Sequence, residues 1–113
     1  MYQIIFYKNS SGKEIIVKFI DSFSNNTIDK IRSDLRLLKD YGLSLLSTSK
    51  VKKLTGVPHL YELRIKTSVQ LRLFFVYISP NIFLVLHGFV KKTNKTPLKE
   101  LEIAINRRKE FDI

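Results

Sequence analysis

Between Leu60 and Val90 the chain carries three apolar segments in quick succession, and the middle one, Leu71 to Ile78, is apolar or aromatic at every position except Arg72. So uniform a segment reads as a central strand buried on both faces, because a strand with one wet face alternates. Leu60 to Lys66 does alternate, with Tyr61, Leu63 and Ile65 on one face and Glu62, Arg64 and Lys66 on the other. Ile82 to Val90, after a Pro80-Asn81 turn, is again nearly continuous. A sheet of this kind has to be covered by helices.

The rest of the chain supplies them. Tyr2 to Tyr7 is rich in aromatic and β-branched residues and runs into Asn9-Ser10-Ser11-Gly12, a strand followed by a turn. Ser11 and Glu14 have the spacing of a capping box, which predicts a helix with Ile16, Phe19, Ile20 and Phe23 on its inner stripe. Asn25 and Asn26 are expected to break it, with a second helix from about Thr27, apolar at Ile28, Ile31, Leu35 and Leu38 and closed by Gly42. Residues 44–58 read as a basic loop, and His59, just after it, also reads as a loop residue. Thr96 and Pro97 fit the N-cap and N1 positions of a last helix, with Leu98, Leu101, Ala104 and Ile105 buried. The expected order is β-α-α-β-β-β-α: an α+β fold with an antiparallel-dominated sheet, two N-terminal helices and a C-terminal helix, in one domain over residues 1–113.

The chain has no cysteine, which excludes disulfides and thiolate metal sites and suits the cytoplasm. No apolar run approaches the roughly 20 residues of a membrane span, and no export signal is evident, so neither membrane insertion nor secretion is expected. His59 and His87 lack the spacing of a zinc motif. Neither a metal nor another cofactor is expected.

Charge is distributed unevenly. Residues 50–99 hold ten lysines or arginines and a single acid, Glu62, which accounts for nine of the formal net charges of +10. A block of fixed positive charge points to a polyanion or an acidic partner. Arg72 is the hardest of these to place as scaffold, since a guanidinium inside an apolar strand must find a carboxylate, a phosphate or the sheet rim. A pair with Glu62 on the neighbouring strand is one solution and a bound phosphate another. Arg64 shares the polar face of Glu62 and reads equally as a solvated strand residue. Lys91, Lys92 and Lys95 leave the last strand just before a helix N-terminus, which also favours anions. Lys50, Lys52, Lys53 and Lys66 extend the basic block. Tyr61 and Phe89 could stack on bases, although aromatics on alternating strands are more often core. His87, beside Gly88 at the end of a buried strand, reads more readily as core than as catalyst.

Three stretches together, Leu60-Tyr61-Glu62-Leu63-Arg64, then Arg72-Leu73-Phe74-Phe75, then Leu86 to Pro97 with Glu100, Ala104 and Arg107, resemble the phage-derived HigB-like branch of the RelE/ParE toxin superfamily. The resemblance covers residues 50–110 closely; the leading strand and two helices agree in order only. It implies a RelE-like fold, a cognate HigA-like helix-turn-helix antitoxin in a hetero-oligomer, and metal-independent cleavage of mRNA on the ribosome. In that chemistry a ribose 2′-hydroxyl attacks the adjacent phosphate. Arg64 and Arg72 match basic strand residues implicated in RelE-type catalysis, and Lys91 or Lys92 matches the basic residue after the last strand. Glu62 stands where the RelE branch has a lysine, and Pro97-Leu98 opens the last helix where a tyrosine is expected. The proton-transfer groups are therefore left open among His87, Glu62 and Tyr61. Lys50, Lys52, Lys53, Lys66 and Lys95, with Tyr61, are the expected contacts to RNA and ribosome. The alternatives are a ParE-like gyrase poison of the same fold and a ribosome- or RNA-binding module without enzymatic activity.

Overall fold

In the computed structural model, which describes residues 2–111, the central segment forms strand β4 (Gln70–Ser79), and neighbours flank it on both sides. The sheet has five strands in the order β1 (Gln3–Phe6), β5 (Ile82–Val90), β4, β3 (Tyr61–Lys66) and β2 (Val51–Lys53). β1 runs parallel to β5 and the other three pairings are antiparallel. Three helices complete the α+β fold: α1 (Ile15–Asp21), α2 (Asn25–Tyr41) and α3 (Leu98–Lys109), with a 3-10 turn over Gly42–Ser47.

The alternation along β4 divides the core in two. Leu71, Leu73 and Phe75 join Ile16, Ile20, Ile31 and Leu38 of α1 and α2 in one buried cluster. Phe74 and Val76 join Leu84, Leu86, Phe89 and Ala104 in a second, beneath α3. Each face therefore buries its own apolar layer, the arrangement that a segment apolar on both sides demands. Gly88 lets α1 approach β5: a Cβ there would lie 2.7 Å from Leu73 and 2.8 Å from Phe19.

Several local expectations are corrected. Residues 44–58 are not one loop, because Val51–Lys53 pairs with Tyr61–Leu63 as a fifth strand. Three residues, two of them lysines, show too little alternation to be read as a strand. The capping box does not form. Glu14 has no side-chain capping bond, and Asn9 Oδ1 instead accepts from the N–H groups of Ser11 (3.1 Å) and Lys13 (2.8 Å), an Asx turn that delays α1 to Ile15. Asn25 and Asn26 do not break a helix but open α2, whose cap is Ser24, accepting from the Thr27 N–H. Pro97, not Thr96, is the N-cap of α3, and Leu98 is exposed (69%) while Ala104 is fully buried. Gly42 does end α2, at φ 56°, and a Cβ there would also strike the Tyr2 ring at 2.3 Å.

Candidate functional site

Arg64 and Arg72 are register partners across β3 and β4, on the sheet face away from α1 and α2. Like charges directly opposite destabilise a sheet unless an acid intervenes. Glu62, two residues before Arg64 and therefore on the same face, is that acid: its Oε1 accepts from Arg64 Nε at 3.0 Å and lies 3.1 Å from Arg72 Nε. Glu62 is 1% exposed. The second contact is an ion pair without a hydrogen bond, because the buried Arg72 N–H is not aimed at the oxygen. Of the Arg72 donors, only Nη1 bonds within the described protein, to the Leu71 carbonyl at 2.9 Å. Burial lowers the Arg72 pKa, Glu62 opposes this, and Arg64 adds to it. Two guanidiniums thus share one carboxylate and keep donors unspent.

Arg72 is the shared wall of two shallow clefts. One, about 280 Å³, is lined by Ser49, Lys50, Arg64, Lys66 and Gln70; the other, about 330 Å³, by Gln70, Lys91, Lys92, Thr93 and Asn94. Lys91 is brought there by its own backbone, whose N–H donates to the Gln70 carbonyl at 2.7 Å and extends the β4–β5 ladder past Val90. Lys52 lies opposite Glu62 on β2 and is exposed, as is Lys53. Lys95 is exposed in the turn closed by Thr93, whose hydroxyl donates to the Lys95 carbonyl. The structure therefore gathers Arg64, Arg72, Lys66, Lys91 and Lys92 around one end of the sheet. A larger groove, about 840 Å³, lies elsewhere beside β1. Its size reflects the gap between a helix and a sheet edge, and its cations all come from α2, whereas the two small clefts bring together cations of the strands and of the segment after β5.

Other expected site residues are committed elsewhere. The Lys50 ammonium, at 2.8 Å, and that of Lys30, at 3.2 Å, both hold the fully buried Asp34 of α2. The Lys30 pKa is raised, first by the hydrogen bond to Asp34. Lys50 thus ties α2 to the sheet and is not a free phosphate contact. Tyr61 is not a stacking platform on the surface: it is 5% exposed, stacks on Phe75 in the core, and burial raises its pKa.

His87 is held by α3. A register shift in β4–β5 leaves Leu86 as the extra residue, so that His87 falls opposite Phe74 on the α3 side of the sheet. There its Nε2 lies 2.7 Å from Glu100 Oε1, and Arg107 Nη1, which donates to the Leu86 carbonyl at 2.8 Å, lies 3.4 Å from Nδ1. A guanidinium can only donate, so Nδ1 is the acceptor and Nε2–H donates to Glu100. Burial lowers the His87 pKa, Arg107 adds to this, and Glu100 opposes it. Glu100 also occupies the first turn of α3 and answers that helix's dipole from within the protein. This clasp was not read from the sequence, although Glu100 and Arg107, seven residues and two turns apart, necessarily share a helix face.

Fold and site define a small basic α+β domain with helices on both faces of a mixed sheet and a cationic cluster at one sheet end. The sequence pattern of the phage-derived protein Gp49-like family (DUF891) matches residues 18–109, and the chain belongs to that family. The family is commonly associated with the toxins of toxin–antitoxin pairs, an association that implies an antitoxin partner. No curated protein matches the chain. Among the described residues, no helix is long and apolar enough to cross a membrane.

Proposed function

We propose that the protein is the toxin of a type II toxin–antitoxin pair and cuts mRNA on the ribosome, as the HigB-like branch of the RelE/ParE superfamily does. The observation that carries this reading is the arginine pair sharing one carboxylate, with Arg72 placed between two lysine-lined clefts. In the reaction the 2′-oxygen bonds to phosphorus, the bond to the 5′-oxygen breaks, and the 2′-proton leaves while a proton reaches the departing 5′-oxygen. A 2′,3′-cyclic phosphate and a 5′-hydroxyl result. Negative charge accumulates on the phosphorane oxygens, and fixed donors aimed there lower the barrier. Arg64, Arg72, Lys91 and Lys92 are the groups positioned for that role, with Lys52, Lys53, Lys66 and Lys95 supplying contacts to the RNA backbone.

One observation favours a second reading, an RNA- or ribosome-binding module without catalysis. Each residue considered for proton transfer is already occupied: His87 between Glu100 and Arg107, Glu62 beneath two arginines, and Tyr61 in the core. Expression of the chain followed by sequencing of RNA ends separates the readings. Breaks in translated mRNA carrying cyclic phosphate ends support the nuclease; ribosome binding with intact mRNA supports the module. Induction of a DNA-damage response with intact mRNA supports a gyrase poison.

A further inference from the structure

The groove beside β1 lies on the sheet face opposite Glu62 and Arg72 and is not used by the reading above. Its floor is an open strand edge. Gln3 and Tyr7 donate their N–H groups to the carbonyls of Asn81 and Val85, toward β5. In a parallel strand successive residues turn their backbone groups to opposite sides, so the N–H and C=O of Ile4 and Phe6 point away from β5, into the groove. No strand covers that edge among the described residues.

The opposite wall is α2, which contributes Leu35 and three exposed cations, Arg32, Arg36 and Lys39. Their spacing of four and then three residues lines them up on one helical stripe. None has an acidic side chain within ion-pair distance among the described residues. An edge with unpaired backbone groups, half-buried apolar side chains and a row of uncompensated cations above it fits an extended acidic peptide added as a strand. The dimensions agree: Arg32 to Lys39 spans about 10 Å of helix, and three alternate residues of a strand span about 13 Å. The other sheet edge, β2, is only three residues long and carries two exposed lysines, Lys52 and Lys53, features that blunt an edge.

We infer that the β1–α2 groove binds an extended segment of a partner protein that adds a sixth strand along Ile4–Phe6 and turns carboxylates at alternate positions toward Arg32, Arg36 and Lys39. This surface goes beyond the proposed nuclease reading and does not depend on it. A segment bound there leaves the arginine clefts open.

The test uses the full chain and a nine-residue peptide of alternating valine and glutamate, compared with its valine–lysine counterpart. The glutamate peptide should bind saturably, more weakly with added salt, and should slow hydrogen exchange at the Ile4 and Phe6 amides. Combining Arg32→Glu with Arg36→Glu should weaken binding by at least about tenfold while leaving the melting temperature nearly unchanged. Equal binding of the two peptides, no effect of the charge reversal, or protection at Val51–Lys53 in place of Ile4 and Phe6 would overturn the assignment. So would protection of those two amides by an oligouridylate, which would make the groove a nucleic-acid site.

Discussion

Arg64 and Arg72 face each other across β3 and β4 and converge on the same oxygen of Glu62. One carboxylate for two guanidiniums leaves a net positive charge at this point, so the arrangement is self-supporting yet still attracts an anion. Glu62→Gln removes the shared charge at constant volume. Because a buried guanidinium then loses its partner, the variant should be less stable by about 3 kcal/mol, read from chemical denaturation. Sulfate should raise its melting temperature more than that of the native protein. Equal responses to sulfate would mean that the two arginines do not hold an anion together.

Arg72→Ala should fold, since the residue lies at the rim of the second core cluster, but should cut ribosome-bound mRNA about 100- to 1,000-fold more slowly. Arg72→Lys should restore only part of that loss, because an ammonium cannot reproduce a planar fork of donors. Single-turnover cleavage on stalled ribosomes measures both. Wild-type rates for the alanine variant would return Arg72 to the scaffold.

His87 makes stability depend on pH. Its folded pKa lies below the ordinary 6.5, chiefly through burial, so on acidification the unfolded chain takes up this proton first. The contribution of neutral His87 is complete above about 6.5 and is lost as pH falls through the lower folded value. Melting temperatures between pH 7.5 and 5 should therefore decline more steeply for the native protein than for His87→Gln. Parallel declines would show that other groups set the acid sensitivity.

Two neighbouring lysines should behave differently. Lys50→Ala leaves the buried Asp34 with one cation fewer and should lower stability by about 1–3 kcal/mol, whereas exposed Lys52→Ala should leave stability within about 0.5 kcal/mol. In ribosome binding, Lys52→Ala combined with Lys53→Ala should reduce the dependence on salt by about one to two charges. A stable Lys50→Ala protein would show that Lys30 alone suffices for Asp34.

The long strands were legible because their burial is written in their composition: Leu71 to Ile78 and Ile82 to Val90 need no partner information to be read as strands. β2 was not, since a three-residue edge that is two-thirds lysine is created by pairing with β3 and not by its own pattern. Helix starts were misread where polar residues competed: the Asn9 turn displaced the expected Ser11 cap of α1, and Ser24 capped α2 three residues before the expected start at Thr27. In the site, the clustering of Arg64, Arg72 and the paired lysines followed from strand alternation and their place at strand ends. The commitments of Lys50 to Asp34 and of His87 to Glu100 and Arg107 depend on how helices lie across the sheet, which no local spacing reports.

The parallel pairing of Gln3 with Ile82 joins the first strand to the last. Contacts so distant in sequence close slowly, and they cannot close during synthesis until β5 has emerged. The order of emergence thus keeps the sheet incomplete until β5 is made, and β1 cannot take its place in it before then. A protein that acts on ribosomes, as proposed, would gain its complete sheet only once β5 has left the ribosome that makes it. The connectivity itself times its maturation.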